Sequence, residues 1–477
     1  MIIGFTKIGE KFLLTIGIFI LVLLSFQYPF SVTVPIGGDA PSHVSTATSL
    51  QKIVSSPYPL SSALFAATRI IPATWLMRFN IFMAAGYALS GILLFLVIRK
   101  MTNTLTAIIG LIFWAISTWD VLPFYRDGTM AQLWSIPYLL LLFYAILTKR
   151  KLLFFLMLVC VYFAHPATFA IVALALTLTV PYYFLRNTKN STLFAIIATS
   201  IISCTIVSIF LFFPTYLPYA STNEYVRYLS LRDFLESRIG ILFFVAPIGL
   251  TVFLANKNFG VGKIFIFSFT VLSFFATFNS LLGIGAWERR FAPYFIISLI
   301  LFGSIGLSNI LDKTFNYKFV QSLIIFLLSV TLAYNAWFSG DGYYRIYRGE
   351  RASLHDSELV AYEWINKTLP KNATIIQSNS RGRGVEWLPV YAKRDNFILE
   401  YRKKLPLLSS CAEILDDLPK TELENPFVLF YTWTKQPPKS YGNNPTIFPL
   451  VYKNPEVEIY QLPASSQITP NIISQCQ

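Results

Sequence analysis

The sequence carries little charge for its length. Aspartate, glutamate, lysine and arginine supply 13% of its 477 residues, where an ordinary soluble domain has about a quarter. A single water-soluble globule is thereby excluded, and the 55% hydrophobic content excludes intrinsic disorder. Histidine and cysteine are scarce, with three and four copies, and their spacing matches no metal site. Walker, dinucleotide-binding, zinc-protease and kinase signatures are missing, so nucleotide-driven chemistry has no positive support. No internal repeat of 20 to 50 residues is visible.

What the sequence does have is apolar length. Long hydrophobic stretches recur from Phe12 to Asn335 and predict roughly eleven membrane spans, near 12–28, 79–98, 103–119, 129–147, 152–164, 167–185, 191–213, 239–255, 264–282, 291–311 and 319–338. The expected fold class is a polytopic α-helical membrane protein. Residues 1–338 form its transmembrane domain, and 339–477 form a C-terminal α/β domain.

The net charge of +14 would suit a nucleic-acid partner, but its distribution argues against one. Up to Gly340 the chain holds 22 of the 38 basic residues and only 9 of the 24 acids, so the excess sits in loops between spans. Alternate loops carry Arg99-Lys100, Lys149-Arg150-Lys151, Arg186 with Lys189, Lys257 with Lys263, and Lys313 with Lys318. By the positive-inside rule these loops, and the N-terminus with Lys7 and Lys11, face the cytoplasm. The opposite loops carry Asp39, Asp120, Asp127, Glu224, Asp233, Glu236 and Glu288. The expected location is the plasma membrane, with the C-terminal domain outside. The first span has no small-residue cleavage site after it and is expected to be retained.

The first outer loop, 29–78, is long. Within it 41–55 reads as helical and 61–71 as an apolar segment bounded by Pro59 and Pro72, either interfacial or re-entrant. In the tail, a helix is expected from Asp356 and strands at 374–377 and 426–432. A hairpin over 446–462 turns at Lys453-Asn454-Pro455. Cys411 and Cys476 in this tail could pair in an oxidising compartment.

Chemistry concentrates at the outer ends of the spans. In Gly37-Gly38-Asp39-Ala40-Pro41-Ser42-His43, the glycines permit a tight turn and Asp39 can cap a helix with Pro41 in its first turn. His43 then follows about one turn later, which brings a carboxylate and an imidazole together. The next outer loop contains Asp120 and Tyr125-Arg126-Asp127-Gly128, of which Asp-Gly is also an ordinary turn pair. Glu288-Arg289-Arg290 opens a late span and serves either as a phosphate contact or as an interfacial anchor. His165, before Pro166, faces a cavity or caps an interrupted helix.

A Gly-Asp-x-x-x-His element after the first span, a long first outer loop, about eleven spans and an outer α/β domain together resemble the GT-C superfamily of integral-membrane glycosyltransferases. The tail segments Ser357–Asn366, Leu369–Ala373 and Gly384–Pro389, ahead of Lys393-Arg394, are similar to the outer domains of uncharacterised members. The resemblance implies transfer of a sugar from a lipid-linked donor, a polyprenyl phosphate, to a glycan, lipid or protein acceptor outside the cytoplasm. Asp39 would be the base that takes the acceptor's proton, or a ligand for a divalent metal, since hard cations favour carboxylate oxygen. Asp120 or Asp127 would be the second acid, Arg289 and Arg290 would hold the donor phosphate, and His43, Arg126 and His165 are further site candidates. Two non-enzymatic readings stand beside this one. A transporter or lipid flippase would place charges at the midplane, and a membrane scaffold would need no donor cavity.

Overall fold

The structure, a computed structural model, describes residues 2–30, 40–117, 129–186, 240–255, 260–279, 288–315, 317–351, 356–378, 388–393, 397–399, 410–418, 423, 425–431 and 439–475. It divides into two compact units. One comprises Met1–Gly37 with Thr46–Tyr344, the other Gly38–Ser45 with Arg345–Gln477.

The first unit is helical. Its described helices begin with α1 (Ile2–Phe30). Helix α2 (Ala40–Thr46) groups with the second unit, apart from Thr46. Short helices α3 (Leu50–Val54) and α4 (Pro59–Ala67) follow, then the long apolar α5 (Trp75–Met101), α6 (Thr104–Ile116), α7 (Met130–Thr148), α8 (Lys151–Ala164) and α9 (Pro166–Arg186). Helices α10 (Gly240–Ala255), α11 (Val261–Thr277), α12 (Glu288–Thr314) and α13 (Lys318–Arg351) follow among the described residues, the last turns of α13 from Arg345 grouping with the second unit. Each predicted span falls on one of these helices except 191–213, which lies outside the described residues. Among the described residues, four stretches, Gly9–Gln27, Trp75–Met101, Met130–Thr148 and Arg290–Thr314, are long and apolar enough to cross a membrane, and shorter apolar helices accompany them.

Local chemistry explains where the elements differ from expectation. The helical reading of 41–55 resolves into α2 and α3 because Ser49 interrupts it and caps α3, its hydroxyl accepting the Lys52 N–H at 3.4 Å. Segment 61–71 is the end of α4 plus a single 3₁₀ turn, Thr68–Ile70. Nine helical residues rise only about 13 Å, far short of a bilayer. Helix α13 runs on past 338 through Gly340 and Gly342. Each glycine costs about 1 kcal/mol against alanine, too little to stop a helix that is already propagating.

Among the described residues, helices α10 and α12 approach each other closely enough for backbone to meet backbone. A Cβ on Gly249 would sit 1.8 Å from the Phe302 carbonyl oxygen, and one on Gly306 would sit 2.3 Å from the Val245 carbonyl oxygen. Without side chains at these positions, the two backbones touch. That is how apolar helices gain van der Waals contact where no hydrophobic force separates helix from lipid. Elsewhere α5 packs on α1, α6 and α7, and α9 and α12 pack on α11. The fully buried Trp114 donates its indole N–H to the Tyr87 carbonyl at 3.0 Å, which fixes α6 against α5.

The second unit is built on a five-stranded sheet, ordered β2 (Phe397–Leu399), β1 (Thr374–Ser378), β3 (Pro426–Tyr431), β5 (Val457–Gln461) and β4 (Leu450–Lys453). The first three strands are parallel, and β5 runs antiparallel to both β3 and β4. The predicted helix and hairpin are present, as α14 (Asp356–Thr368) and as β4–β5. Central strand β3 buries Phe427, Val428, Leu429 and Phe430 in succession, because both sheet faces are covered. Alternation assigns Val428 and Phe430 to a cluster with α16 (Cys411–Asp417) and Tyr441 of α17 (Lys439–Asn443). Between β1 and β2 lies the short α15 (Leu388–Tyr391), and the chain ends in α18 (Pro470–Ser474), which packs on α16. Cys411 is disulfide-bonded.

Candidate functional site

The structure joins two of the regions singled out in the sequence. His165 is the single extended residue between α8 and α9, with φ −161° and ψ 107°. Pro166 has no N–H and cannot continue α8, so the chain restarts there as a new helix. The His165 backbone N–H donates to the Val161 carbonyl at 3.0 Å, closing α8, while its own carbonyl accepts from Phe169 at 3.2 Å, opening α9. Its side chain caps α9 as well, with Nδ1 accepting the Thr168 N–H at 3.3 Å. An N–H can only donate, so Nδ1 presents its lone pair and the neutral ring carries its proton on Nε2. The capping role is therefore real, and the ring is also 4% exposed and part of a larger polar network.

That network is a closed ring of neutral groups. Ser135 Oγ donates to the Gln132 carbonyl at 2.6 Å, which uses its one proton. Thr168 Oγ1 stands 2.8 Å from Ser135 Oγ and 3.0 Å from His165 Nδ1 and can donate to either. The hydroxyl of Tyr294, wholly buried on α12, is hydrogen-bonded to Thr168 Oγ1 and lies 3.3 Å from His165 Nδ1. Gln132 Nε2 closes the circuit by donating to Tyr294 Oη at 3.5 Å, and its amide also donates to the backbone carbonyl of Arg290. Such a ring polarises itself cooperatively in a low-dielectric interior, where an unpaired polar group would cost about 1–3 kcal/mol.

The first loop closes over this ring. Tyr58 stacks on His165 with ring centroids 5.4 Å apart and planes 22° from parallel, and Ser61 Oγ donates to the Ala164 carbonyl at 3.2 Å. Helix α4 therefore packs on α7 and α8 at the α8–α9 junction. Further along the loop, the guanidinium carbons of Arg69 and Arg78 stand 5.5 and 5.0 Å from the Trp75 ring centroid. Their side chains donate to the carbonyls of Ala47 and Ile71 at 2.6 and 3.0 Å.

The other sequence candidates fall as follows. Arg289 and Arg290 lie in the first turn of α12, and the Arg290 side chain is exposed. His43 is buried on α2, which starts directly after Asp39, and belongs to the second unit. Asp39, Asp120, Arg126 and Asp127 lie outside the described residues. Among the described residues, no group of three or more histidine, cysteine, aspartate or glutamate side chains could hold a metal ion. Sequence reading missed Tyr58, Gln132, Ser135, Thr168 and Tyr294. Gln132, an amide in the otherwise apolar opening of α7, was the available signal, because polar groups inside a span are costly and seldom idle.

Neither family models nor curated protein sequences match this chain. Solved structures do. It is similar to the oligosaccharyltransferase of Archaeoglobus fulgidus in its apo form, with a TM-score of 0.61 and 13% identity over 88% of this chain and 69% of that one. It is also similar to ArnT from Cupriavidus metallidurans. The apo state of ArnT gives a TM-score of 0.58 at 11% identity, covering 97% of this chain and 99% of ArnT. The form bound to undecaprenyl phosphate gives 0.56 at 10% identity, covering 96% and 98%. The helical bundle and the small C-terminal sheet thus share the fold of these two proteins.

Proposed function

We propose that the protein is a membrane glycosyltransferase that moves a sugar from a polyprenyl-phosphate donor to an acceptor on the extracytoplasmic side. The observation that carries this reading is the end-to-end correspondence with ArnT, a polyprenyl-phosphate-binding protein of the same fold and nearly the same extent. In this reading 1–338 is the membrane domain and 339–477 the extracytoplasmic one. The positive-inside distribution supports that orientation. So does the disulfide at Cys411, since disulfides persist on oxidising sides of membranes.

The reaction is displacement at the anomeric carbon. A base takes the acceptor's proton, and cationic groups steady the departing phosphate. We assign Asp39 as the base or as a metal ligand, with His43 one turn on and Asp120 or Asp127 as the second acid. Arg289 and Arg290 are the phosphate contacts, since guanidinium stays charged and binds oxygens bidentately. The His165 ring fixes the first turn of α12, and with it Arg290, against α7. Tyr58 ties the first loop to the same support. Arg126 stays a candidate of the second loop.

The test is transfer by purified protein in nanodiscs from a panel of radiolabelled polyprenyl-phosphate sugars. Labelled acceptor formed from one donor of the panel, with release of the polyprenyl phosphate, is the expected result. Proton-gradient-dependent flux of the lipid without transfer would instead favour a flippase.

A further inference from the structure

We infer that Asn372 is an N-glycosylation site, whose side-chain amide receives a glycan from a lipid-linked donor through a separate oligosaccharyltransferase. The inference rests on the placement of 339–477 outside the cytoplasm in the function proposed above. It does not depend on the reaction proposed there. The acceptor motif is Asn-x-Ser/Thr, with any residue but proline in the middle. Three segments of the chain fit it: Asn190-Ser191-Thr192, Asn366-Lys367-Thr368 and Asn372-Ala373-Thr374. Asn444-Pro445-Thr446 has the ends of the motif and is barred by its proline. Asn190 lies outside the described residues, in the loop with Arg186 and Lys189 that the positive-inside rule assigns to the cytoplasm. The modification belongs to outward-facing surface chain, which leaves the two motifs of the C-terminal domain.

Geometry separates those two. Asn366 and Thr368 both belong to the last turn of α14. Residues two apart on a helix point about 200° away from each other, so one approaching enzyme cannot engage the Asn366 amide and the Thr368 hydroxyl together. Asn366 is also only half-exposed, beside the buried Tyr362 and Ile365. The second motif is built differently. Pro370 follows the end of α14, and the Ala373 N–H donates to the Pro370 carbonyl at 3.0 Å, which closes a turn with Asn372 in its centre. From there the chain runs straight into β1, whose first residue is Thr374. Asn372 is exposed, Ala373 is fully buried and Thr374 is half-exposed. That alternation puts the amide and the hydroxyl on one side of the chain, open to solvent. A bulky, polar glycan needs such an outlet in the folded protein.

In the transfer, Asn372 Nδ2 bonds to the anomeric carbon of the donor sugar as the bond from that carbon to the lipid-phosphate oxygen breaks. The lipid phosphate leaves with the electron pair, and one amide proton passes to a carboxylate of the transferring enzyme.

The experiment expresses the full-length protein in eukaryotic cells, with an Asn-Gly-Thr tail added after Gln477 as a marker of sidedness. Peptide N-glycosidase leaves aspartate at each modified asparagine, which peptide mass spectrometry then locates. The wild type should carry a glycan on Asn372 and on the tail. Asn372→Gln should lose the first completely, and Asn366→Gln should keep it. Thr374→Val keeps the β-branched shape that suits the start of a strand and should also lose it, whereas Thr374→Ser should retain it. A glycan on Asn366 with Asn372 bare overturns the inference. A modified tail with Asn372 bare overturns it too, and leaves the outward placement of the domain standing. If Asn372 and the tail are both bare while Asn190 is modified, the inference and that placement fall together. Glycosylated Asn372 in a protein that transfers no sugar itself supports the inference and counts against the enzymatic reading.

Discussion

The two units bury polar groups by different means. In the helical unit Gln132, Ser135, Thr168, Tyr294 and His165 form a hydrogen-bonded network of neutral groups. In the sheet unit the buried Glu458 accepts from Tyr460 Oη at 2.8 Å, and from Lys453 Nζ at 2.7 Å. The Lys453 side chain is 64% exposed, so its stem reaches the carboxylate from a solvated position. The carboxylate can be kept beside the edge strand β4 because a solvated ammonium on that strand shares its charge. Inside a membrane bundle no such help exists, and the polar groups that persist there are neutral and close on each other.

The comparison is broken most severely at the contact of α10 with α12. Gly249→Leu would drive a side chain into the Phe302 carbonyl, where even a Cβ stands at 1.8 Å. Backbone cannot move aside as a flexible side chain can. The expected outcome is a loss of more than about 4 kcal/mol, seen as failure to elute as a single species in size-exclusion chromatography. A leucine at the exposed Gly442, whose Cβ would meet nothing within 4 Å, should leave the profile unchanged.

The polar ring is tested next. Tyr294→Phe removes the hydroxyl bonded to Thr168 and leaves the Gln132 amide one acceptor short, for an expected cost of about 1–3 kcal/mol. Gln132→Leu should cost a similar amount, and the double variant should cost clearly less than the two together, because the groups act in one circuit. Additive melting-temperature losses would mean that the ring does not act as a unit.

The smallest effect belongs to the sheet unit. Burial, and then the hydrogen bond and charge of Glu458, hold the Tyr460 hydroxyl well above its ordinary value near 10. A raised phenol pKa means that the folded state keeps a proton the unfolded chain releases. Its contribution is complete below about pH 10 and is lost as pH climbs from there towards the folded value. Near-ultraviolet circular dichroism should show the stability falling over that alkaline window in the wild type. Tyr460→Phe should flatten the slope and leave stability at neutral pH slightly lower.

Much of this arrangement was legible in the sequence, for identifiable reasons. Apolar length marks helices regardless of their neighbours, so α5, α7 and α12 could be read from composition alone. The hairpin β4–β5 could be read because Asn454 is a strong local turn signal, and in the structure its side chain accepts the N–H groups of Glu456 and Val457 at 3.0 and 2.7 Å. The break between α2 and α3 depends on one serine hydroxyl choosing a cap over a continuing helix, a difference too small for pattern reading. His165 stood out because histidine is rare in spans. Its partners did not, because Thr168 lies beside it in sequence while Tyr294 is 129 residues away, and only the packing of α12 on the bundle brings them together. Serine and threonine in apolar helices carry no signal of their own, as most simply bond back to a carbonyl four residues earlier, as Ser90 does to Gly86 at 2.7 Å.

The most direct test of the central claim is sugar transfer by wild type and Asp39→Asn side by side, in nanodiscs, from the donor that the wild type accepts. The amide keeps the size and N-capping ability of aspartate and loses its basicity, so folding and melting temperature should be unchanged. The account predicts that transfer falls by at least about 100-fold, the lower end of what a positioned base contributes. Transfer at the wild-type rate by Asp39→Asn would contradict it, and would remove the first-loop acid from the reaction.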